Sequence, residues 1–327
     1  MTRIDIFSGF LGAGKTTLIR KLINEGYKGQ KLVLIENEFG EIAIDGGFLK
    51  DAGVQITEMN SGCICCTLVG DFTKALKKVM DDYAPDRIII EPSGVGKLSD
   101  VAKAVEHVEG AHIGAKVTVV DAGKCRMYMR NFGEFFNDQV ENADLIVMSR
   151  TDITPEAKVQ TAADMLRTLN HDAGLITTPL DKISGEQILE AMDKNGLRAQ
   201  MEELEHEHEH HHDHDDDDDD CCCGHDHEHH HHHHADEVFT SWGMETPRKF
   251  TEESLKKILE ALDESAVYGT ILRAKGIVDA SDGDWLYFDY TPGEYDVRRG
   301  NAAVTGRFCV IGSKLNEQAL KELFEVE

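Results

Sequence analysis

The chain has 327 residues, with 34 Lys and Arg against 61 Asp and Glu, so its formal net charge is −27. Such an acidic chain, with no Lys/Arg cluster, is poorly suited to neutralising phosphate backbones, and no apolar run approaches the ~20 residues of a membrane span. We therefore expect neither nucleic acid nor a membrane as a partner.

Two further features of the composition bear on the compartment. The first residues lead directly into a strand-like run, without the layout of a signal peptide. Six of the eight Cys lie in two short clusters, a distribution that favours metal ligands or reactive thiols over a disulfide framework. We expect a cytoplasmic protein.

Residues 1–200 alternate β-branched runs with helical patterns, which predicts an α/β domain with a mainly parallel sheet. The predicted strands are 4–7, 31–36, 54–58, 87–91, 116–121, 144–148 and 175–178. In residues 237–327, helical patterns flank adjacent strand-like runs, which predicts a smaller α+β domain with an antiparallel sheet. Its predicted helices are 252–262 and 316–324, and its predicted strands are 270–278, 285–290 and 307–311.

A glycine-rich loop follows the first predicted strand and precedes a helical segment. Its sequence, G-F-L-G-A-G-K-T from Gly9 to Thr16, matches the phosphate-binding pattern G-x-x-x-x-G-K-[ST] in the required strand–loop–helix context. Backbone N–H groups would face the phosphates, Lys15 would reach the terminal phosphates, and Thr16 would bind Mg²⁺. A glycine-rich turn with an exposed Lys is the alternative. The predicted nucleotide-binding residues of this segment are Gly9, Gly12, Ala13, Gly14, Lys15, Thr16 and Thr17.

A P-loop protein also needs an acidic group at a neighbouring strand end. Glu91 leaves the predicted strand 87–91, and we expect it to hold the metal or its water, with the N–H of Gly94 facing the γ-phosphate. A solvated Glu at a strand end is the alternative.

The choice of base is predicted from the segment S-R-T-D at 149–152, which has the position of a guanine-reading N-K-x-D segment. Asp152 would accept two N–H bonds from guanine, while Ser149 and Arg150 stand where Asn and Lys are usual, and Thr151 lies between. A helix N-cap Asp is the alternative. GTP is the expected nucleotide, with weakened discrimination.

Three thiols within four residues can converge on one ion, and soft thiolates select Zn²⁺ or Cu⁺ over Mg²⁺. Cys63, Cys65 and Cys66 provide this set, with buried thiols or a Cys63/Cys66 redox pair as alternatives. The preceding loop E-N-E-F-G-E at 36–41 carries Glu36, Glu38 and Glu41, which could supply a hard ligand, position water or simply be solvated. The isolated Cys125 and Cys309 are expected to be packed thiols.

Residues 201–236 hold 15 acidic residues, 14 of the 17 His and three Cys, with almost nothing apolar. This composition cannot form a core and predicts a disordered linker that binds Zn²⁺, Ni²⁺, Co²⁺ or Cu²⁺ loosely. A plain linker is the alternative. The expected ligands are His206, His208, His210, Cys221, Cys222 and Cys223.

Taken together, these segments resemble the CobW family of P-loop GTPases. The resemblance rests on G-F-L-G-A-G-K-T-T at 9–17, E-N-E-F-G-E at 36–41, G-C-I-C-C at 62–66, E-P-S-G at 91–94 and T-D at 151–152, and extends to 272–276 and 306–312. It implies slow GTP hydrolysis, with Lys15, Glu38 and Glu91 as catalytic residues.

The resemblance also implies that hydrolysis is coupled to delivery of a transition metal, most often zinc, to a client protein. Co²⁺ and Ni²⁺ remain alternatives, and a homodimer is possible. The competing hypotheses are a nickel insertase related to the hydrogenase and urease GTPases, a metal buffer with a vestigial GTPase domain, and a thiol redox switch.

Overall fold

The computed structural model describes residues 1–36, 55–58, 69–196, 238–301, 303 and 305–326. The predicted domain boundaries at 200 and 237 and the histidine-rich linker lie outside these ranges. Within them, no helix is both long enough and apolar enough to cross a bilayer.

The first sheet has seven strands, all parallel, in the order β3-β2-β4-β1-β5-β6-β7. It confirms the predicted α/β domain with a parallel sheet. The strands are β1 Thr2–Gly9, β2 Leu32–Glu36, β3 Gln55–Glu58, β4 Arg87–Glu91, β5 Ala111–Asp121, β6 Leu145–Ser149 and β7 Gly174–Ile176.

Helices cover both faces of this sheet, because its central strands are apolar on both sides. In β4, Ile88 and Ile90 join one core cluster and Ile89 joins the other, as the two-residue period of a strand requires. The helices are α1 Lys15–Glu25, α2 Val69–Tyr83, α3 Leu98–Glu106, α4 Cys125–Asn131, α5 Gly133–Glu141, α6 Glu156–Leu169 and α7 at 185–196.

The second sheet is antiparallel along the path β12-β11-β10-β13-β8, with the short β9 pairing parallel to β10. It confirms the smaller α+β domain. Its strands are β8 Thr240–Thr246, β9 Lys249–Phe250, β10 Thr270–Ala280, β11 Trp285–Thr291, β12 Glu294–Gly300 and β13 Gly306–Ser313. Its helices are α8 Glu252–Ala261, α9 Ser265–Tyr268 and α10 Glu317–Phe324.

An aromatic contact joins the two sheets' domains. The ring of Phe239, just before β8, lies 5.0 Å from Phe135, 5.3 Å from Phe132 and 6.2 Å from Phe10 between centroids. Because Phe10 belongs to the glycine-rich loop, this contact places the second domain beside the carboxyl ends of the parallel strands. That edge is where ligands bind in open α/β sheets.

Candidate nucleotide site

The loop between β1 and α1 has the backbone of an anion-binding turn. Gly12 and Gly14 have φ values of +72° and +100°, which L side chains rarely adopt. Gly14 is also the N-cap of α1 and supplies no side-chain cap, so the first N–H groups of the helix are not capped from that residue. A helix N-terminus of this kind favours phosphate.

Three side chains of the predicted site meet at this loop. Lys15 is 6% exposed, and its Nζ donates to the carbonyl of Gly9 at 2.9 Å and lies 3.9 Å from Oε1 of Glu91. The hydroxyl of Thr16 donates to the same carboxylate, at 3.2 and 3.3 Å. The end of β4 therefore stands directly beside the start of α1.

The chemistry of this donor set fits a magnesium ion. A hydroxyl oxygen and a carboxylate oxygen are hard ligands of the type that Mg²⁺ takes, usually together with phosphate oxygens and water. Thr16 and Glu91 are the residues that would hold it.

The turn after β4 packs closely on the glycine-rich loop. A Cβ on Gly94 would lie 2.8 Å from the backbone nitrogen of Leu11, so only glycine allows this approach. The amide of Gln139, fully buried, donates to the carbonyls of Gly94 and Gly96 at 3.3 and 2.7 Å and fixes the turn. The direction of the Gly94 N–H relative to a γ-phosphate stays a prediction.

The segment after β6 is tied to the same loop. The hydroxyl of Ser149 is buried and donates to the carbonyl of Ala13 at 2.6 Å. Arg150 adopts a left-handed backbone with φ +57°, and its Nε lies 3.4 Å from Oδ2 of Asp121. Thr151 is half-buried and Asp152 is exposed. Ser149 thus connects the predicted base-reading segment to the phosphate loop.

The second domain contributes to this site, which the sequence did not predict. A pocket of about 260 Å³ lies between the glycine-rich loop and the β11–β12 hairpin. From the first domain it is lined by Gly12, Gly14, Lys15, Thr16, Thr17, Glu91 and Arg150, and from the second by Arg273, Asp289, Thr291, Glu294, Tyr295 and Asp296.

Polar contacts join the hairpin to the first domain. Nζ of Lys124 donates to the hydroxyl of Thr291 at 2.7 Å, and Arg150 forms an ion pair with Glu294. Burial lowers the pKa of Lys124, while the nearby Asp121 opposes the shift. The sequence carries a hairpin signal here, T-P-G-E at 291–294, but that signal predicts only a turn.

The predicted metal ligands are mostly beyond the described residues. Glu36 ends β2, where its Cα is in register with Glu91 of β4 and Glu58 of β3. Across the described ranges, no group of three or more His, Cys, Asp and Glu side chains could hold a metal ion. The predicted ligands that lie outside those ranges are Glu38, Glu41, Cys63, Cys65, Cys66, His206, His208, His210, Cys221, Cys222 and Cys223.

The two isolated cysteines are packed thiols, as predicted. Cys125 and Cys309 are both buried. Burial raises the pKa of the Cys125 thiol to about 12, so this thiol is protonated at neutral pH.

Two family models match this chain. Residues 3–177 match the family model described as CobW/HypB/UreG, nucleotide-binding domain, and residues 239–326 match the cobalamin synthesis protein cobW C-terminal domain. The zinc chaperone YeiR of Escherichia coli is 31% identical over 188 residues, which cover 57% of this chain and 57% of YeiR.

Two further similarities extend over more of the chain. The zinc-regulated GTPase metalloprotein activator 1 of Dictyostelium discoideum is 25% identical over 313 residues, covering 84% of this chain and 62% of that protein. The crystal structure of Zn(II)-bound YjiA GTPase from E. coli has a TM-score of 0.44 at 22% identity, covering 99% of this chain and 98% of that one. The chain spans about three-fifths of the length of the two curated relatives, 57% and 62%. Because the nucleotide-binding family model matches more than half of the residues, the chain belongs to the CobW/HypB/UreG family.

Proposed function

We propose that this protein is a GTPase metallochaperone that binds GTP with Mg²⁺, hydrolyses it slowly, and uses the cycle to hold and release a transition metal, zinc first, for a client protein. The observation that carries the proposal is the meeting of Lys15, Thr16 and Glu91 at the glycine-rich loop. The zinc-chaperone and zinc-regulated GTPase relatives support it.

The roles of the chain's own residues follow from the geometry. Lys15 is held over the loop by the Gly9 carbonyl and would exchange that contact for the terminal phosphates. Thr16 and Glu91 would hold Mg²⁺, which when bound would neutralise charge on the β- and γ-phosphates. Glu38, beyond the described residues, is the proposed residue that positions the attacking water.

Guanine selection would come from the segment after β6. Asp152 would accept the two guanine N–H groups, and Ser149 holds the segment against Ala13. Ser149 and Arg150 stand where Asn and Lys are usual, and Arg150 forms ion pairs with Asp121 and with Glu294 across the pocket. We therefore expect a preference for GTP over ATP that is incomplete.

For the metal, Cys63, Cys65 and Cys66 would bind one ion as thiolates, with Glu36 and Glu41 as additional oxygen ligands. In the sequence, the segments 36–41 and 62–66 come between the glycine-rich loop and β4, and we propose that the γ-phosphate biases both. The tract 201–236 would collect metal loosely for this site, and we place the protein in the cytoplasm on its cysteine distribution.

The test compares GTP and ATP turnover, with and without Zn²⁺, Ni²⁺ and Co²⁺, in the wild type and in Lys15→Ala. We expect turnover with GTP to exceed that with ATP and to be lost in Lys15→Ala, while Lys28→Ala, at an exposed Lys near the end of α1, stays active. Zinc affinity is measured in the same proteins with and without nucleotide, and equal affinity in the two cases would favour a metal buffer. Stimulation of GTP turnover by Ni²⁺ alone would favour a nickel insertase. Formation of a Cys63/Cys66 disulfide under mild oxidant would favour a redox switch.

A further inference from the structure

A second cavity lies in the first domain, away from the glycine-rich loop. It has a volume of about 480 Å³ and is formed by the loop after β5, by α4 and by α6. This volume is within the range of about 300–1,000 Å³ that is typical of ligand pockets. We call it the α4–α6 groove. The proposed GTPase chemistry uses none of the side chains that line this groove.

The groove is cationic on an acidic protein. Arg126 and Arg130 of α4 and Lys158 of α6 line it, and all three are exposed. None of them has an ion-pair partner among the residues that the structure describes, whereas many other basic side chains there are paired, for example Lys97 with Glu134 at 2.8 Å. In a chain of net charge −27, three uncompensated cations around one cavity favour an anionic occupant.

The floor of the same groove is apolar. Met127 and Met165 line it, together with the buried Ala162. Unbranched thioether side chains adapt to different apolar partners. Ile153 is 70% exposed and precedes Thr154, which lies close to the groove residue Gly123. Cations over an apolar floor with an exposed isoleucine nearby suit a peptide that carries both acidic and apolar side chains.

The groove adjoins the base-reading part of the nucleotide site. Gly123 lines the groove, and its N–H donates to Oδ1 of Asp121 at 2.8 Å, while Oδ2 of Asp121 lies 3.4 Å from Nε of Arg150. Thr154, next to Ile153, lies close to Gly123, with its Oγ1 3.5 Å from the position of a Cβ there. An occupant of the groove would therefore contact the loop after β5, which Asp121 links to Arg150 of the predicted base-reading segment.

We propose that the α4–α6 groove is a docking site for an acidic segment of a partner protein, anchored by at least one large apolar side chain. The chain's own tract 201–236 is the other acidic segment at hand, but its only large apolar residues are Met201 and Leu204, so most of it would leave the methionine floor uncovered. The mixed chemistry of the groove fits a partner segment better. This proposal does not require that the protein binds zinc or hydrolyses GTP.

The test uses the full-length chain with GDP and Mg²⁺. Short peptides of random sequence are selected by display on the wild type, and the enriched peptides are labelled with fluorescein and titrated by anisotropy at low and high salt. The triple variant Arg126→Glu/Arg130→Glu/Lys158→Glu removes the positive charge, Met165→Asp changes the floor, and Lys257→Glu is a control at an exposed Lys on α8.

We expect the enriched peptides to combine Asp or Glu with Leu, Met or Phe, and to lose about tenfold or more in affinity for the triple variant. Met165→Asp should also weaken peptide binding, whereas Lys257→Glu should leave it unchanged. High salt should reduce peptide binding to the wild type. GDP affinity should be unchanged in the triple variant, which shows that it is folded. The three single reversals, each weaker in effect, serve if the triple variant is unstable.

Several results would overturn the assignment. These are selection of no peptide, selection without acidic bias, or equal affinity for the triple variant and the wild type. A peptide copying residues 201–220, which includes Met201 and Leu204, that binds the groove as tightly as the selected peptides would assign the groove to the chain's own tract. Dimerisation that the triple variant abolishes would assign it to a second copy. If the chain proves not to turn over GTP, the peptide measurements still decide this proposal.

Discussion

Ser149→Ala should weaken nucleotide binding although its hydroxyl faces the protein and not the nucleotide. The hydroxyl is 2.6 Å from the carbonyl of Ala13 in a region where both residues are at most 5% exposed. Removing one partner of a buried hydrogen bond costs about 1–3 kcal/mol. Part of this cost should also weaken nucleotide binding, because the loosened loop must be ordered when it closes around the phosphates.

If about 0.7–1.4 kcal/mol appears in binding, GDP affinity falls about threefold to tenfold. Ser99→Ala is a matched control, since the Ser99 hydroxyl also makes a 2.6 Å bond, but to the side chain of Asp138 on α5 and not to the glycine-rich loop. Urea unfolding measures the stability of each variant, and calorimetric titration of the folded variant with GDP measures its affinity. We expect both to lose stability and only Ser149→Ala to lose affinity. Wild-type affinity in Ser149→Ala, or an equal loss in Ser99→Ala, would show that the Ser149–Ala13 hydrogen bond does not order the loop for nucleotide binding.

Three further predictions concern other parts of the chain. Gly12→Ala and Gly29→Ala both force an alanine to positive φ, +72° and +78°, but only the methyl at Gly12 would meet another residue, Thr291 Cγ2 at 2.5 Å. Gly29→Ala should therefore lose about 1–2 kcal/mol of stability in urea unfolding with GDP affinity intact, while Gly12→Ala should lose GDP affinity as well. Cys125, whose pKa is raised to about 12, should not react with a thiol reagent at pH 8 in the folded protein, and rapid labelling there by mass spectrometry would contradict its burial. Partial desolvation and the neighbouring positive charges lower the pKa of His112, although its side chain is exposed, so the folded state favours the neutral imidazole. Stability should therefore fall as pH drops below ~6.5 and through the lowered folded-state pKa. His112→Gln should flatten that part of the stability curve, and an unchanged pH dependence would oppose this expectation.

The sequence predicted the first domain well because its signals are local. The strand, the glycine-rich loop and the helix of the phosphate site follow one another in the chain, and Glu91 ends a buried apolar run. The seven parallel strands each begin or end within a few residues of the predicted runs, with β5 starting earlier, at Ala111.

Three strands of the second domain were not predicted, and each lacks the pattern of a buried strand. β12, Glu294–Gly300, lies at the edge of the sheet and is mostly charged and exposed. β9 has two residues, and β8 mixes polar residues with Trp242 and Met244. Their stability comes from pairing with neighbouring strands, which the local sequence does not show.

The share of the second domain in the site was not predictable for a related reason. Lys124 and Thr291 are 167 residues apart in sequence, and no period or motif connects them. In the sequence, Ser149 is visible only as a departure from the guanine-reading pattern, because its bond to Ala13 forms only when the end of β6 meets the glycine-rich loop in space. Local chemistry was predictable, whereas the contacts that arrange it depend on the packing of distant segments.

The coupling of nucleotide and metal is tested most directly by the zinc affinity of the whole 327-residue chain with Mg²⁺ and either GDP or a non-hydrolysable GTP analogue. A competing chelator is used so that the tight site is measured apart from the loose sites expected in 201–236. We expect the analogue to tighten zinc binding by about tenfold, corresponding to a coupling of about 1.4 kcal/mol, and Cys63→Ala/Cys65→Ala/Cys66→Ala to abolish the difference. Equal zinc affinity in the two nucleotide states, or a difference that survives in the triple variant, would contradict it.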